Sequence, residues 1–169
     1  MAVIGTQAFQ DAFESAQRSI FRLETLQYYA GDPNFDRFVA GQSWQDTDSK
    51  PHWVDLVSRR VSQGVAMQRV HVITEPWSDY VRFELTWSYP LNVSAGEDVR
   101  IITAPTPWEG PDFWMFDDQR VWVMLYSEEG VLDRVEDASI SDSTVRSCLA
   151  RKERALAASE PLRAVSPAG

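Results

Sequence analysis

Hydrophobic positions in the first third of the chain recur mostly with helical spacing. Phe9, Phe13 and Ala16 form one stripe, which predicts a helix over residues 8–17. Residues 19–29 satisfy two patterns at once. Phe21, Leu23 and Thr25 alternate with Arg22 and Glu24 as in a strand, while Ile20, Leu23 and Leu26 keep helical spacing. Asp32-Pro33 supplies an N-cap followed by proline at the first helical position, so a short helix begins there and ends at Gly41, with Phe35, Phe38 and Val39 inward. A polar loop over residues 42–51 leads to a second helix from about His52. Its stripe is Trp53, Leu56, Val57 and Val61, and Gly64 caps its end.

The period then shortens. Over residues 65–74, Val65, Met67, Arg69, His71 and Ile73 take one face and Val70 and Val72 the other, which predicts an internal strand. Residues 75–78 turn the chain. Ser78 caps a helix to about Ser88, with Tyr80, Phe83, Glu84 and Trp87 on one side and Pro90 ending it. A strand over residues 98–103 and a loop holding Pro105, Pro107, Trp108 and Pro111 follow. Residues 113–116 and 121–126 read as strands of a hairpin turning at Asp117-Asp118, and residues 131–138 as a further strand. Ser141-Asp142 caps a last helix with Val145, Cys148, Leu149, Lys152 and Leu156 inward.

The strand–helix–strand unit predicts a parallel pair with a right-handed crossover, and the hairpins add antiparallel strands. The expected architecture is a single domain over residues 1–160, α+β or α/β in class. It has a mixed, mainly antiparallel sheet with flanking helices and the last helix packed on one face. Residues 161–169 are expected to form a flexible C-terminal tail.

Composition narrows the function classes. With 169 residues, 44% hydrophobic and 24% charged, the chain reads as one soluble globule. It holds no run of about 18 apolar residues, so no membrane span is expected. Its first residues lack the basic start and apolar core of a secretory signal, which makes a cytoplasmic setting the expectation. The net charge is -9, and no basic run exceeds Arg59-Arg60 or Arg151-Lys152, so direct duplex DNA binding is not expected. Seven tryptophans suit either a ring-rich core or a pocket or interface lined by rings.

Most nucleophile and metal motifs are missing. There is no G-x-S-x-G elbow and no glycine-rich phosphate loop. The lone Cys148 falls on the inner stripe of a helix, as a packing residue does. His52 and His71 have no metal-ligand spacing, and Asp112, Asp117 and Asp118 read as hairpin-turn chemistry, so neither a metal nor a cofactor is expected. Acid–base groups are the remaining candidates. Glu75 follows the first clear strand, Glu84 shares a helix face with Tyr80 and Trp87, and Arg82 and Arg100 could answer them or bind an anion. A cleft lined by Trp77, Trp87, Trp114 and Tyr126, with Glu84 and Arg82 inside, is expected if these residues form a site. Glu75, Tyr80, Arg82, Glu84, Trp87, Arg100, Asp112, Trp114 and Tyr126 are the candidates for ligand or partner binding. The plainer alternative is a set of arginine–carboxylate pairs that orient the helix. A Glu84 carboxylate between rings must be paired, most simply with an arginine, or its pKa must rise.

The segments SDYVRFEL (Ser78 to Leu85), AGEDVR (Ala95 to Arg100) and DFWMFDD (Asp112 to Asp118) resemble an actinobacterial family of unknown function often encoded beside helix-turn-helix regulators. The resemblance covers roughly residues 19–158. It implies a bacterial, cytoplasmic and regulatory role and no established reaction. The element order is also similar to half of the phospholipase D fold, whose active members carry H-x-K. Here the histidines read His71-Val72-Ile73 and His52-Trp53-Val54, so phosphodiesterase chemistry is not expected. Two functions are therefore expected from different classes. One is a non-catalytic regulatory or interaction protein acting with a helix-turn-helix partner. The alternative is a small enzyme or ligand-binding domain of a specialised-metabolite pathway, using an aromatic cleft with acid–base carboxylates.

Overall fold

Strands that run through the middle of a sheet have two faces to cover, and in this chain the two coverings differ. The computed structural model describes residues 7–43, 51–139 and 141–164. Its elements are α1 (Gln7–Ser15), β1 (Ser19–Glu24), α2 (Pro33–Val39), α3 (Pro51–Ser62), β2 (Ala66–Thr74) and α4 (Asp79–Phe83). A π turn (Glu84–Ser88) joins α4 to α5 (Tyr89–Ala95). Then come β3 (Asp98–Ala104), β4 (Asp112–Phe116), β5 (Arg120–Tyr126), β6 (Leu132–Ser139), α6 (Ser143–Ala158) and β7 (Glu160–Pro161).

One seven-stranded sheet has the order β6-β5-β4-β1-β2-β3-β7. The pairs β1–β2 and β2–β3 are parallel, and the other four are antiparallel. This is the expected single α+β domain with a mixed, mainly antiparallel sheet. The ambiguity over residues 19–29 resolves to strand. β1 lies between β4 and β2, so both its edges are paired, and helices pack on both faces of the sheet, so its charged residues are buried.

Phe21, Leu23, Val70, Val72, Phe113, Met115, Val121 and Val123 point to one face, where Val145, Cys148 and Ala155 of α6 close an apolar layer. The other face carries Ile20, Met67, Trp114, Phe116, Trp122 and Met124 beneath α1 and α3, and Ile73, Val99 and Ile101 beneath α4 and α5. Between those two apolar patches the same face holds Arg22, Glu24, Arg69, His71 and Asp112, all buried.

Two expectations are corrected. Pro90 does not end the helix. It stands in the first turn of α5, where a missing N–H costs nothing, and the π turn before it absorbs the break in the ladder. Gly96, left-handed at φ 110°, is the true stop. The expected tail is partly structured: Pro161 pairs with Arg100 of β3, and Leu162 packs against the core beneath α4 and α5. The rest of the tail, 165–169, and the loop residues 44–50 with Trp44, lie outside the described residues.

At the β4–β5 hairpin, Asp117 and Asp118 both adopt positive φ, 54° and 58°, the conformation of a two-residue turn with the right twist. Asp117 accepts N–H bonds from Gln17, Arg18 and Ser19, and Asp118 accepts one from Lys152 on α6. These two acids are structural, as the turn reading requires.

Candidate functional site

Strand register assembles the buried charges. Arg22 stands opposite Arg69 on one side and Trp114 on the other, and Glu24 stands opposite His71. Both guanidinium groups lie 5.4 Å from the Trp114 ring, which accepts cations over its face. Each arginine also has carboxylate partners. Arg69 donates from Nε to Glu97 at 2.8 Å and from Nη1 to Glu24 Oε1 at 2.5 Å. Arg22 donates from Nη2 to Tyr126 Oη at 2.9 Å and to Asp112 at 3.4 Å. Asp112 is fully buried. It accepts further bonds from the Thr25 N–H, the Thr25 hydroxyl and the Tyr29 hydroxyl.

His71 is held at both nitrogens. Nε2 lies 2.6 Å from the Leu26 carbonyl, which can only accept, so Nε2 carries a proton. Nδ1 faces the Tyr89 hydroxyl at 2.7 Å, and Tyr89 in turn donates to Glu24 Oε1 at 3.1 Å. Glu84 Oε2 is 2.9 Å from Nδ1 but makes no hydrogen bond. Burial alone would lower the His71 pKa. The adjacent Glu84 and Glu24 charges and the Leu26 carbonyl outweigh it and push the group up to about 9, so the ring is cationic at neutral pH. Burial would raise Glu24, but Arg69, Arg22 and His71 hold it down at about 2. Glu84 goes the other way: burial raises its pKa, and His71 only partly offsets this. Burial and the neighbouring carboxylates raise Tyr29, Tyr80 and Tyr89, so these hydroxyls stay protonated.

Over this floor lies a cavity of about 330 Å³. Arg22, Glu24 and Arg69 form its base, Glu84, Tyr89 and Asn92 one wall, and Trp114, Tyr126, Trp53 and Tyr29 its rings. Tyr80 and Glu84, four residues apart, share a helix face, and the extra residue of the π turn brings Tyr89 and Asn92 round to the same side. Two groups lack hydrogen-bond partners, Arg22 Nη1 on the base and Asn92 Oδ1 on the wall, and Glu84 Oε2 has only its ion pair with His71. A larger groove of about 740 Å³ runs between α1 and α3, but His52, Asp55, Arg59 and most of its other walls are exposed.

Of the residues picked from the sequence, Tyr80, Glu84, Asp112, Trp114 and Tyr126 come together around this cavity. Four do not. Glu75 is exposed on the turn after β2. Arg82 is exposed and paired with Asp79 at 3.8 Å, because it falls on the outward side of α4. Trp87 packs against Phe38 and Phe83 beneath α2, not against β4. Arg100 lies toward the sheet edge, tied to Ser159 and Asp98. Trp77 is also absent from the cleft; it packs on Ile73 and Val99. The partner of Glu84 is His71 rather than an arginine.

The floor residues Arg22, Glu24, Arg69, His71 and Tyr89 were not among the candidates. Their signal was the charge at alternate positions of two neighbouring strands, which reads as a solvated face unless the sheet is known to be covered on both sides.

An α+β domain whose sheet carries helices on both faces, with a polar, ring-walled pocket sunk between sheet and helices, is the class these features define. The chain belongs to the family described as Domain of unknown function (DUF6879), whose model matches residues 7–166. No curated protein matches it.

Proposed function

We propose that this domain is a binding module for a small polar organic molecule held in the pocket above Arg22 and Arg69. The observation that carries the reading is Arg22: it is 4% exposed, it lines the cavity, and its Nη1 has no acceptor. A buried guanidinium N–H left unpaired is costly, and an acceptor on a bound molecule would relieve it. Asn92 Oδ1, on the helical wall, supplies an unpaired acceptor. The occupant is thus a molecule with an anionic or carbonyl end toward β1 and a donor end toward α5. The cavity volume lies at the small end of ligand sites.

The regulatory reading joins this one as a role for the occupied pocket. A domain that binds a metabolite and presents the result to a helix-turn-helix partner fits the resemblance and the net charge of -9, which suits a basic partner surface. No helix among the described residues is long and apolar enough to cross a membrane. Phosphodiesterase chemistry gains no support, since both His71 nitrogens are engaged and no lysine stands two residues on.

The test is a thermal-shift screen of the full chain against amino acids, dicarboxylates, nucleosides and sugar acids, followed by calorimetry on any hit. Asn92→Leu is expected to keep the melting temperature of the free protein, Arg22→Lys to lower it through loss of the Tyr126 and Asp112 contacts, and each to weaken the hit roughly tenfold or more, the cost of one unmade buried hydrogen bond to a charged group. A hit that survives both substitutions unchanged lies elsewhere and overturns the assignment.

A further inference from the structure

We propose that Glu24, His71 and Glu84 form a binding site for one first-row divalent cation, such as Zn²⁺ or Mn²⁺, at the floor of the pocket. One donor atom from each residue lies within 4.8 Å of the others. Ligand atoms on a tetrahedral cation stand about 3.4 Å apart for bonds of about 2.1 Å, so closing the set draws the widest-spaced atoms together by up to about 1.4 Å. All three residues are buried, and they come from three elements: the end of β1, the middle of β2 and the π turn.

Each residue keeps one atom for the cation. Glu24 Oε1 is taken by Arg69 and Tyr89, which leaves Oε2 with only Arg22 at 4.0 Å. Glu84 Oε2 is buried without a hydrogen bond. The His71 ring is anchored by its Nε2–H on the Leu26 carbonyl, the outer contact that fixes a metal-binding imidazole, and this turns Nδ1 into the cluster. Binding places the Nδ1 lone pair on the cation, and the Nδ1 proton leaves to solvent. The Tyr89 hydroxyl gives up its contact with Nδ1 and keeps the one to Glu24.

Charge makes the same argument independently. The buried cluster sets two permanent cations, Arg22 and Arg69, against the four acids Glu24, Glu84, Glu97 and Asp112. A divalent cation on neutral His71 makes it four against four. Buried charge is paired or coordinates metal, and a hard–borderline set of two carboxylates and one imidazole favours such cations over Mg²⁺. Three protein ligands leave a coordination position open, and Glu24 and Glu84 also line the cavity, as in an open metal site.

The experiment uses full-length protein stripped with chelator and titrated with Zn²⁺, Mn²⁺ or Mg²⁺ alone, with no organic ligand present. Calorimetry should give about one Zn²⁺ or Mn²⁺ per chain, with Mg²⁺ at least tenfold weaker. Glu84→Gln removes one buried acid without changing shape, so the variant folds and its affinity falls at least tenfold. Glu153→Gln, an exposed acid on α6, binds as the parent does. Loading with Co²⁺ should give a visible spectrum, changed in His71→Gln, that reports a nitrogen ligand even if affinities are modest. Absence of stoichiometric Zn²⁺ and Mn²⁺ binding, or equal affinity in folded Glu84→Gln, overturns the proposal. The pocket reading fails separately, through Asn92→Leu and an organic hit.

Discussion

The two faces of the sheet are built from alternate residues of the same strands, yet they do different work. Beneath α6, Phe21, Leu23, Val70, Val72, Phe113 and Val123 pack on an apolar helix stripe with no buried charge among the strand residues. On the opposite face, residues one step along carry Arg22, Glu24, Arg69, His71 and Asp112. A period of two lets one β-strand serve a stabilising layer and a polar site without compromise between them. The comparison teaches where the stability comes from. The apolar face supplies the driving force by burial. The charged face costs desolvation, which its ion pairs and ring contacts offset only in part.

Truncation of the apolar face should have the largest effect. Phe113→Ala is expected to cost about 3–5 kcal/mol and largely unfold the domain, as seen by urea denaturation, since Phe113 is 0% exposed between β1 and β5. A loss under about 1 kcal/mol would show that α6 is not the main stabilising layer.

Alkaline pH should probe the charged face alone. In chelated protein the folded His71 pKa of about 9 exceeds its ordinary value of 6.5. Its contribution is therefore complete below about pH 6.5 and is lost as pH rises through about 9. Unfolding free energy should fall by roughly 1–3 kcal/mol between pH 7 and pH 10, and the fall should shrink in His71→Gln. Equal pH slopes in parent and variant would remove His71 from the ion cluster.

Glu84→Gln sharpens the comparison by its smallness. It removes a carboxylate whose burial the adjacent His71 offsets only in part, so stability should stay within about 1 kcal/mol, while occupancy of the pocket is lost. Unfolding of this variant would make Glu84 a structural residue. Smallest of all, Arg120→Ala at the half-exposed pair with Asp137 should change stability by less than about 0.5 kcal/mol after solvent screening.

The apolar face was legible because β2 alternates and β4 and β5 are short apolar runs flanking a turn, and the cap of α6 at Asp142 was equally plain. The charged face was not. Arg22 and Glu24 alternate with apolar residues as on an amphipathic strand, and only the packing of helices on both faces of the sheet shows that no wet side exists. Tyr80 and Glu84 were found through helical spacing, but Tyr89 and Asn92 were hidden behind Pro90. A proline at that spacing reads as a stop, and a π turn leaves no mark in the pattern of hydrophobic residues.

The Asp117 clamp has a consequence for the order in which the molecule assembles. Gln17 and Asp117 are 100 residues apart, and β1 pairs with β4 across a similar span. During synthesis the N-terminal strand can pair with β2 early, but its other edge stays open until the hairpin emerges. Only then do the three backbone N–H groups of residues 17–19 find their acceptor and α1 seat Phe9 over the pocket. Contacts this distant in sequence slow folding. The wall of the pocket that Phe9 supplies therefore depends on contacts about 100 residues apart in the chain.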